Sequence, residues 1–205
     1  MPHTQTTPPD QASTAQQSAV QISTAEPPRR SSWSVKAKVT RVLWAFSEIL
    51  FWRLSPPSMT GFRNTMLRFF GAKIGKGVRI HPSVKIVIPW NIKIGDRVTI
   101  HERAILYALG TIKIGSGSEI GPQVHLCAGT HDHTDPIFPL LREPITISER
   151  CILGAASFVA PNVVLADGTI LHPRSAMYTN SKPNTQYRGN PAKPLVPVTN
   201  QEPTH

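Results

Sequence analysis

Ile74-Gly75-Lys76-Gly77-Val78 returns as Ile94-Gly95-Asp96-Arg97-Val98 and again as Ile114-Gly115-Ser116-Gly117-Ser118. Within each block a six-residue beat is visible: Ile74, Ile80 and Ile86, then Ile94, Ile100 and Leu106, then Ile114, Ile120 and Leu126. After an interruption it resumes without slips at Ile147, Leu153, Val159, Leu165, Leu171 and Met177. Four places after most beats stands a small or β-branched residue, among them Val78, Val84, Ala104, Val124, Cys151, Val163 and Ser175. A hexapeptide period makes each unit one short strand and one turn, and three units close a triangular coil of about 18 residues. The beat residue points into the prism, the small residue fills the space beside it, and glycine directly after the beat permits the corner. Coils then stack at the ~4.8 Å strand spacing and bury one another's apolar rows. The expected fold is an all-β solenoid, a parallel β-helix of about five coils over residues 73–182. The steps from 74 to 94 and 94 to 114 exceed one coil by a bulge, at Ile92 and Ile112. The period does not set the hand of the coil; the general crossover rule favours right-handed turns.

An open solenoid end needs a cover. In residues 33–72, Val35, Val39, Val42, Leu43, Phe46, Ile49 and Leu50 fall at helical spacing, and Pro56-Pro57 stops that helix. A second helix is expected from Phe62 to Phe70. The segment reads as a helical cap whose apolar stripe covers the first coil. Trp44, Trp52 and the basic residues give it a second reading, contact with a membrane surface through residues 33–70. Residues 1–32 are polar and proline-dotted and read as a disordered tail, and 183–205 as a C-terminal extension.

The chain has 205 residues and 22 Lys and Arg against 12 Asp and Glu, a net charge of +10. The excess is concentrated in residues 33–73, where Lys36, Lys38, Arg41, Arg53, Arg63, Arg68 and Lys73 face Glu48 alone. Such a balance favours anionic partners. Nucleic acid is not expected, because no recognition motif accompanies the charge. Cys127 and Cys151 form neither a disulfide framework nor a CxxC pair and read as small hydrophobes in a reducing compartment. With no secretory apolar run, and with Glu48 and Arg53 interrupting the longest apolar stretch, the expectation is a cytoplasmic protein, soluble or peripheral at the inner membrane face.

The interruption of the beat, residues 131–146, is a loop ejected from an otherwise tight stack, which reads as functional. It opens with His131, Asp132, His133 and Asp135. Of the eight histidines, His81, His101 and His172 each follow a beat residue and read as outward turn residues; His3 and His205 lie in the tails. His125 precedes Leu126 and should point outward, into a cleft between subunits. His131 remains as the candidate for chemistry, with His133 a weaker one, and either Asp132 or Asp135 could orient an imidazole there.

Several blocks carry a family likeness: Leu54-Ser55-Pro56, Phe70-Gly71-Ala72-Lys73-Ile74-Gly75, Pro89-Trp90-Asn91, Gly129-Thr130-His131-Asp132 and Gly189-Asn190-Pro191-Ala192-Lys193. Residues 74–181 resemble the hexapeptide-repeat acyltransferases, and these blocks resemble most the colanic-acid biosynthesis acetyltransferases, near the galactoside and maltose O-acetyltransferases. The resemblance implies a left-handed β-helix, an exception to the crossover rule. It also implies a homotrimer with sites between subunits and transfer of an acetyl group from acetyl-CoA to a saccharide or lipid-linked saccharide hydroxyl. In that family the base is the histidine opening the loop, a place His131 holds. Coenzyme contacts are implied at Ala155, Pro173, Tyr178, Thr179 and Lys193, and acceptor contacts at Tyr107 and His125. The acceptor-positioning asparagine of the galactoside enzymes has Ala108 in its place, and Ser148, Asn162, His172 and Ile152 replace usual glycines and a tryptophan. These departures motivate a competing reading, a non-catalytic repeat scaffold. A β-helical carbonic-anhydrase-like metal hydratase is the third, but the spacing of His125, His131 and His133 does not suit it, and no metal is expected.

Overall fold

The computed structural model describes residues 34–132 and 134–195; the tail read as disordered, the end of the C-terminal extension and His133 lie outside the described residues. Strands of two to four residues stack into three parallel faces. The first face holds Lys73–Ile74, Ile92–Ile94, Ile112–Ile114, Ile145–Ile147 and Val164–Leu165. The second runs from Arg79–Ile80 through Thr99–Ile100, Glu119–Ile120, Ile152–Leu153 and Ile170–Leu171 to Gln186–Gly189. The third holds Lys85–Ile86, Ile105–Tyr107, His125–Cys127, Phe158–Val159 and Ala176–Met177. Beat residues stand in register, Ile74 on Ile94 on Ile114 on Ile147 on Leu165, and from Ile80 onward all are buried. The result is a left-handed parallel β-helix of five closed coils, with Gln186–Gly189 starting a sixth.

The corners are built differently from the sequence expectation. The left-handed backbone conformation falls three places after the beat, at Gly77, Arg97, Gly117, Arg150 and Gly168, and four of the five corners on the next edge likewise use Arg103, Gln123, Ala156 and Arg174. The glycine directly after the beat serves another purpose. A Cβ on Gly95 or Gly115 would lie 2.6 or 2.5 Å from atoms of the following coil, so glycine there permits the coils to stack closely.

Each coil donates backbone N–H groups to the carbonyls of the next, as in Gly75 to Ile94 (2.9 Å) and Gly115 to Ile147 (2.7 Å). The first coil is therefore left with outward carbonyls and no strand to fill them. Helix α1 (Val35–Ser47), the helical turn that continues it to Trp52, and helix α2 (Thr60–Phe69) supply side chains instead. Arg68 donates to Ile74, Asn64 to Val78, Arg63 to Ile80 and Trp44 to Ile86, at 2.7–3.2 Å. Trp44, Trp52 and Leu67 pack into the core beside them. The stripe expected to do this does not: Val35, Val39, Val42, Leu43, Phe46, Ile49 and Leu50 are all exposed. A helix has one face toward the prism, and the indole of Trp44, with a hydrogen-bond donor to place, takes it.

At the far end Asn180 and Ser181 side chains accept from the Val164 and Ala166 amides. Ala192–Pro194 closes the second face as an antiparallel strand on Gln186–Gly189.

Candidate active site

The ejected loop leaves at the corner between the third and first faces. It is a small hairpin: Thr130–His131 pairs antiparallel with Leu140–Leu141, His131 opposite Leu140. The pairing holds the His131 backbone, and the Phe138 ring stacks on the imidazole, centroids 5.1 Å apart and planes 16° from parallel. The histidine is thus held in place yet exposed to solvent. Asp132 Oδ1 accepts from the backbone N–H and hydroxyl of Thr134 at 2.9 and 2.6 Å, which pins the first turn of the loop. Asp135 Oδ1 accepts from the Ile137 backbone N–H at 2.8 Å.

The other histidines separate by their partners. His81 pairs with Ser83, His101 with Glu119 and His172 with Gln186, each at 2.8 Å, a fastening role for all three turn residues. His125 differs. It stands on the third face between the edges of Tyr107 and Phe158, with its Nε2 buried and without a hydrogen-bond partner. Burial lowers its pKa, so the ring is held neutral. Cys127, two places on, donates to the Gly129 carbonyl, and burial raises its thiol pKa, as it does for Cys151.

The residues assigned to coenzyme lie at the C-terminal coils. Ala155 and Pro173 are exposed at successive corners on one edge, with the Arg174 amide bonded to the Ala155 carbonyl. Tyr178 and Thr179 are exposed just past the last strand of the third face, Tyr178 leaning on Phe158 at 5.9 Å. Lys193 is exposed on the terminal hairpin, directly opposite Arg188. Arg188 was not singled out from sequence, although the Arg-Gly-Asn-Pro-Ala-Lys run, read as a hairpin, sets it against Lys193. Phe138 was also missed, since only the hairpin register brings it over His131. Ala108 is fully buried; the nearby amide side chain is that of Asn91, which donates to the Ala108 and Leu109 carbonyls.

Among the described residues no three His, Cys, Asp or Glu side chains are grouped to hold a metal ion. A depression of about 550 Å³ on the first face is lined by Lys73, Lys93, Lys113, Glu149 and Asp167, and His131 is not part of it.

No family model matches the chain. The colanic acid biosynthesis acetyltransferase WcaF of Escherichia coli is 43% identical over 150 residues, which span 73% of this chain and 81% of the relative. The chain belongs to the hexapeptide-repeat acetyltransferase family. The galactoside O-acetyltransferase of E. coli is 23% identical over 155 residues, 72% of this chain and 74% of that one. Among solved structures, a hexapeptide-repeat acetyltransferase from Vibrio cholerae complexed with acetyl coenzyme A has a TM-score of 0.74 at 19% identity, covering 81% of this chain and 91% of that one. A galactoside acetyltransferase in complex with coenzyme A has a TM-score of 0.67 at 20% identity, covering 81% and 84%. This acetyltransferase is therefore an acyl-CoA-dependent enzyme built on the family's β-helix. No described helix of it is long and apolar enough to cross a membrane.

Proposed function

We propose that the enzyme transfers an acetyl group from acetyl-CoA to a hydroxyl of a saccharide, free or lipid-linked, in the synthesis of a surface polysaccharide, with His131 as general base. The names of its relatives, a colanic acid biosynthesis enzyme and a galactoside O-acetyltransferase, support the acceptor class. The observation that carries the base assignment is the His131 imidazole itself, stacked on Phe138 at the mouth of the loop ejected from the solenoid and open to an incoming acceptor. A sugar hydroxyl is almost never ionised at neutral pH. Imidazole takes its proton as the oxygen attacks the thioester carbonyl. The tetrahedral intermediate then collapses, the carbon–sulfur bond breaks, and the imidazolium returns the proton to the departing thiolate. Asp132 belongs to the turn that sets the ring's position; His133 is the weaker candidate for the base.

Lys193 and Arg188 set two like charges opposite one another, an arrangement that costs stability unless an anion lies between them, and a coenzyme phosphate suits it. Ala155, Pro173, Tyr178 and Thr179 then line the path of the coenzyme toward the third face. Tyr107 and His125 line the acceptor side, where the neutral His125 ring can accept or donate one hydrogen bond. His131 is exposed on a loop whose Ile137, Phe138 and Leu140 are exposed as well, which favours a homotrimer in which a neighbouring subunit completes the site. With acetyl-CoA as donor, the reaction belongs in the cytoplasm.

His131→Ala should lower acceptor-dependent thiol release by about 10²–10⁴ while leaving the thermal melt unchanged. Turnover retained within a few-fold of wild type would overturn the base assignment.

A further inference from the structure

The apolar stripe of α1 is on the wrong side for a cap. Trp44 turns inward to bond Ile86 and Trp52 is fully buried, while Val35, Val39, Val42, Leu43, Phe46, Ile49 and Leu50 project the other way, each more than half exposed. Phe51 and Leu54 extend the stripe at similar exposure. The β-helix needs none of these side chains, since Trp44, Asn64, Arg63 and Arg68 already fill the first coil's carbonyls. A contiguous apolar surface of this kind is not left in water without a partner.

We infer that this stripe is a docking surface for an anionic lipid bilayer, on which α1 and its continuation to Trp52 lie in the plane of the interface. Charge selects that occupant. Exposed Lys38 and Arg53 and half-buried Arg41 flank the stripe, and the segment's single acid, Glu48, is paired with Arg53 at 3.5 Å. A second copy of this helix would bring like charges together. The first face offers a copy no better partner, because it presents Lys73, Lys93 and Lys113 on successive rungs. Acidic headgroups complement the cations while the acyl boundary takes the aliphatic and phenyl groups, and at this length the helix rests on the bilayer instead of crossing it. The inference is independent of which acceptor the enzyme acetylates.

The test is flotation of the full chain with vesicles of phosphatidylethanolamine and phosphatidylglycerol, against vesicles of phosphatidylcholine alone. The wild type should float with the anionic vesicles, and about 0.5 M salt should weaken this by screening. L43E/F46E/L50E should reduce binding at least about tenfold, since each change sets a charge where an apolar group was inserted. K38E/R41E should abolish the preference for anionic lipid. These side chains, Arg41 apart, are exposed, so the melt of the triple variant should match wild type, and sedimentation should give the same mass for both. Absence of wild-type binding to anionic vesicles, or undiminished binding by the triple variant, would overturn the proposal. A triple variant of smaller assembled mass would also overturn it, by showing that the stripe is an interface between copies.

Discussion

Residues of one chemical type are sorted here by what surrounds them. Three histidines are tied to Ser83, Glu119 and Gln186, one is enclosed by aromatic edges, and one is stacked on a phenyl ring in the open. The enclosed one makes a pH prediction. Protonating His125 in the folded state would strand a charge between Tyr107 and Phe158, so its folded pKa is below the ordinary value of 6.5. The unfolded chain takes up that proton first as pH falls, so the contribution is fully present above about 6.5 and declines below it. Thermal melts at pH 7.5 and 5.5 should show a larger acid loss for wild type than for His125→Phe. Equal losses would mean the ring is not buried against its charge. The two thiols, raised by burial, should react slowly with a disulfide reagent at neutral pH in the native protein and quickly after unfolding.

Among the elements, the short helices matter most for integrity. A β-helix is made of edges, and its first coil would present a row of carbonyls to any strand that came by. Arg63 is fully buried, donates to Ile80, Ser55, Pro56 and Pro57, and has its pKa lowered by burial while its guanidinium remains charged. Arg63→Met keeps much of the volume and removes every donor, leaving the buried Ile80 carbonyl without its side-chain partner. Urea unfolding should show a loss of about 2–4 kcal/mol, or an aggregating protein if the bare edge is recruited by another chain. A loss below about 0.5 kcal/mol would show that water replaces the guanidinium. The hairpin that carries His131 is an element of the opposite kind: it adds nothing to the stack, and its short pairing serves to hold one ring.

For the whole molecule, the three faces are unequal. The first carries its lysine column and the second a mixed polar row. The third carries Tyr107, His125, Cys127 and Phe158, with the exposed apolar groups Ile137, Phe138 and Leu140 on the loop at its edge. Packing of that face against a neighbour is the route by which a trimer would complete the site. Sedimentation should return three times the 22.5 kDa chain mass. Charged substitution at Phe158 should release single chains and abolish transfer together; a wild type sedimenting as one chain would remove the shared-site reading.

The solenoid was readable from residue order because its core is periodic: each beat residue meets its counterpart one coil on, so local spacing specifies tertiary contact. The loop was readable as an interruption of that period, and His131 as its opening residue. Where a contact joins positions unrelated by the repeat, spacing is silent. The stacking of Phe138 on His131, the pairing of Arg188 with Lys193, the side chains of Trp44, Arg63, Asn64 and Arg68 on the first coil's carbonyls, and the consequent outward turn of the α1 stripe were decided by the folded structure. An amphipathic pattern states that a helix has two unlike faces. Which face meets the protein depends on whether the surface it covers needs apolar atoms or hydrogen-bond donors, and the open end of a β-helix needs donors.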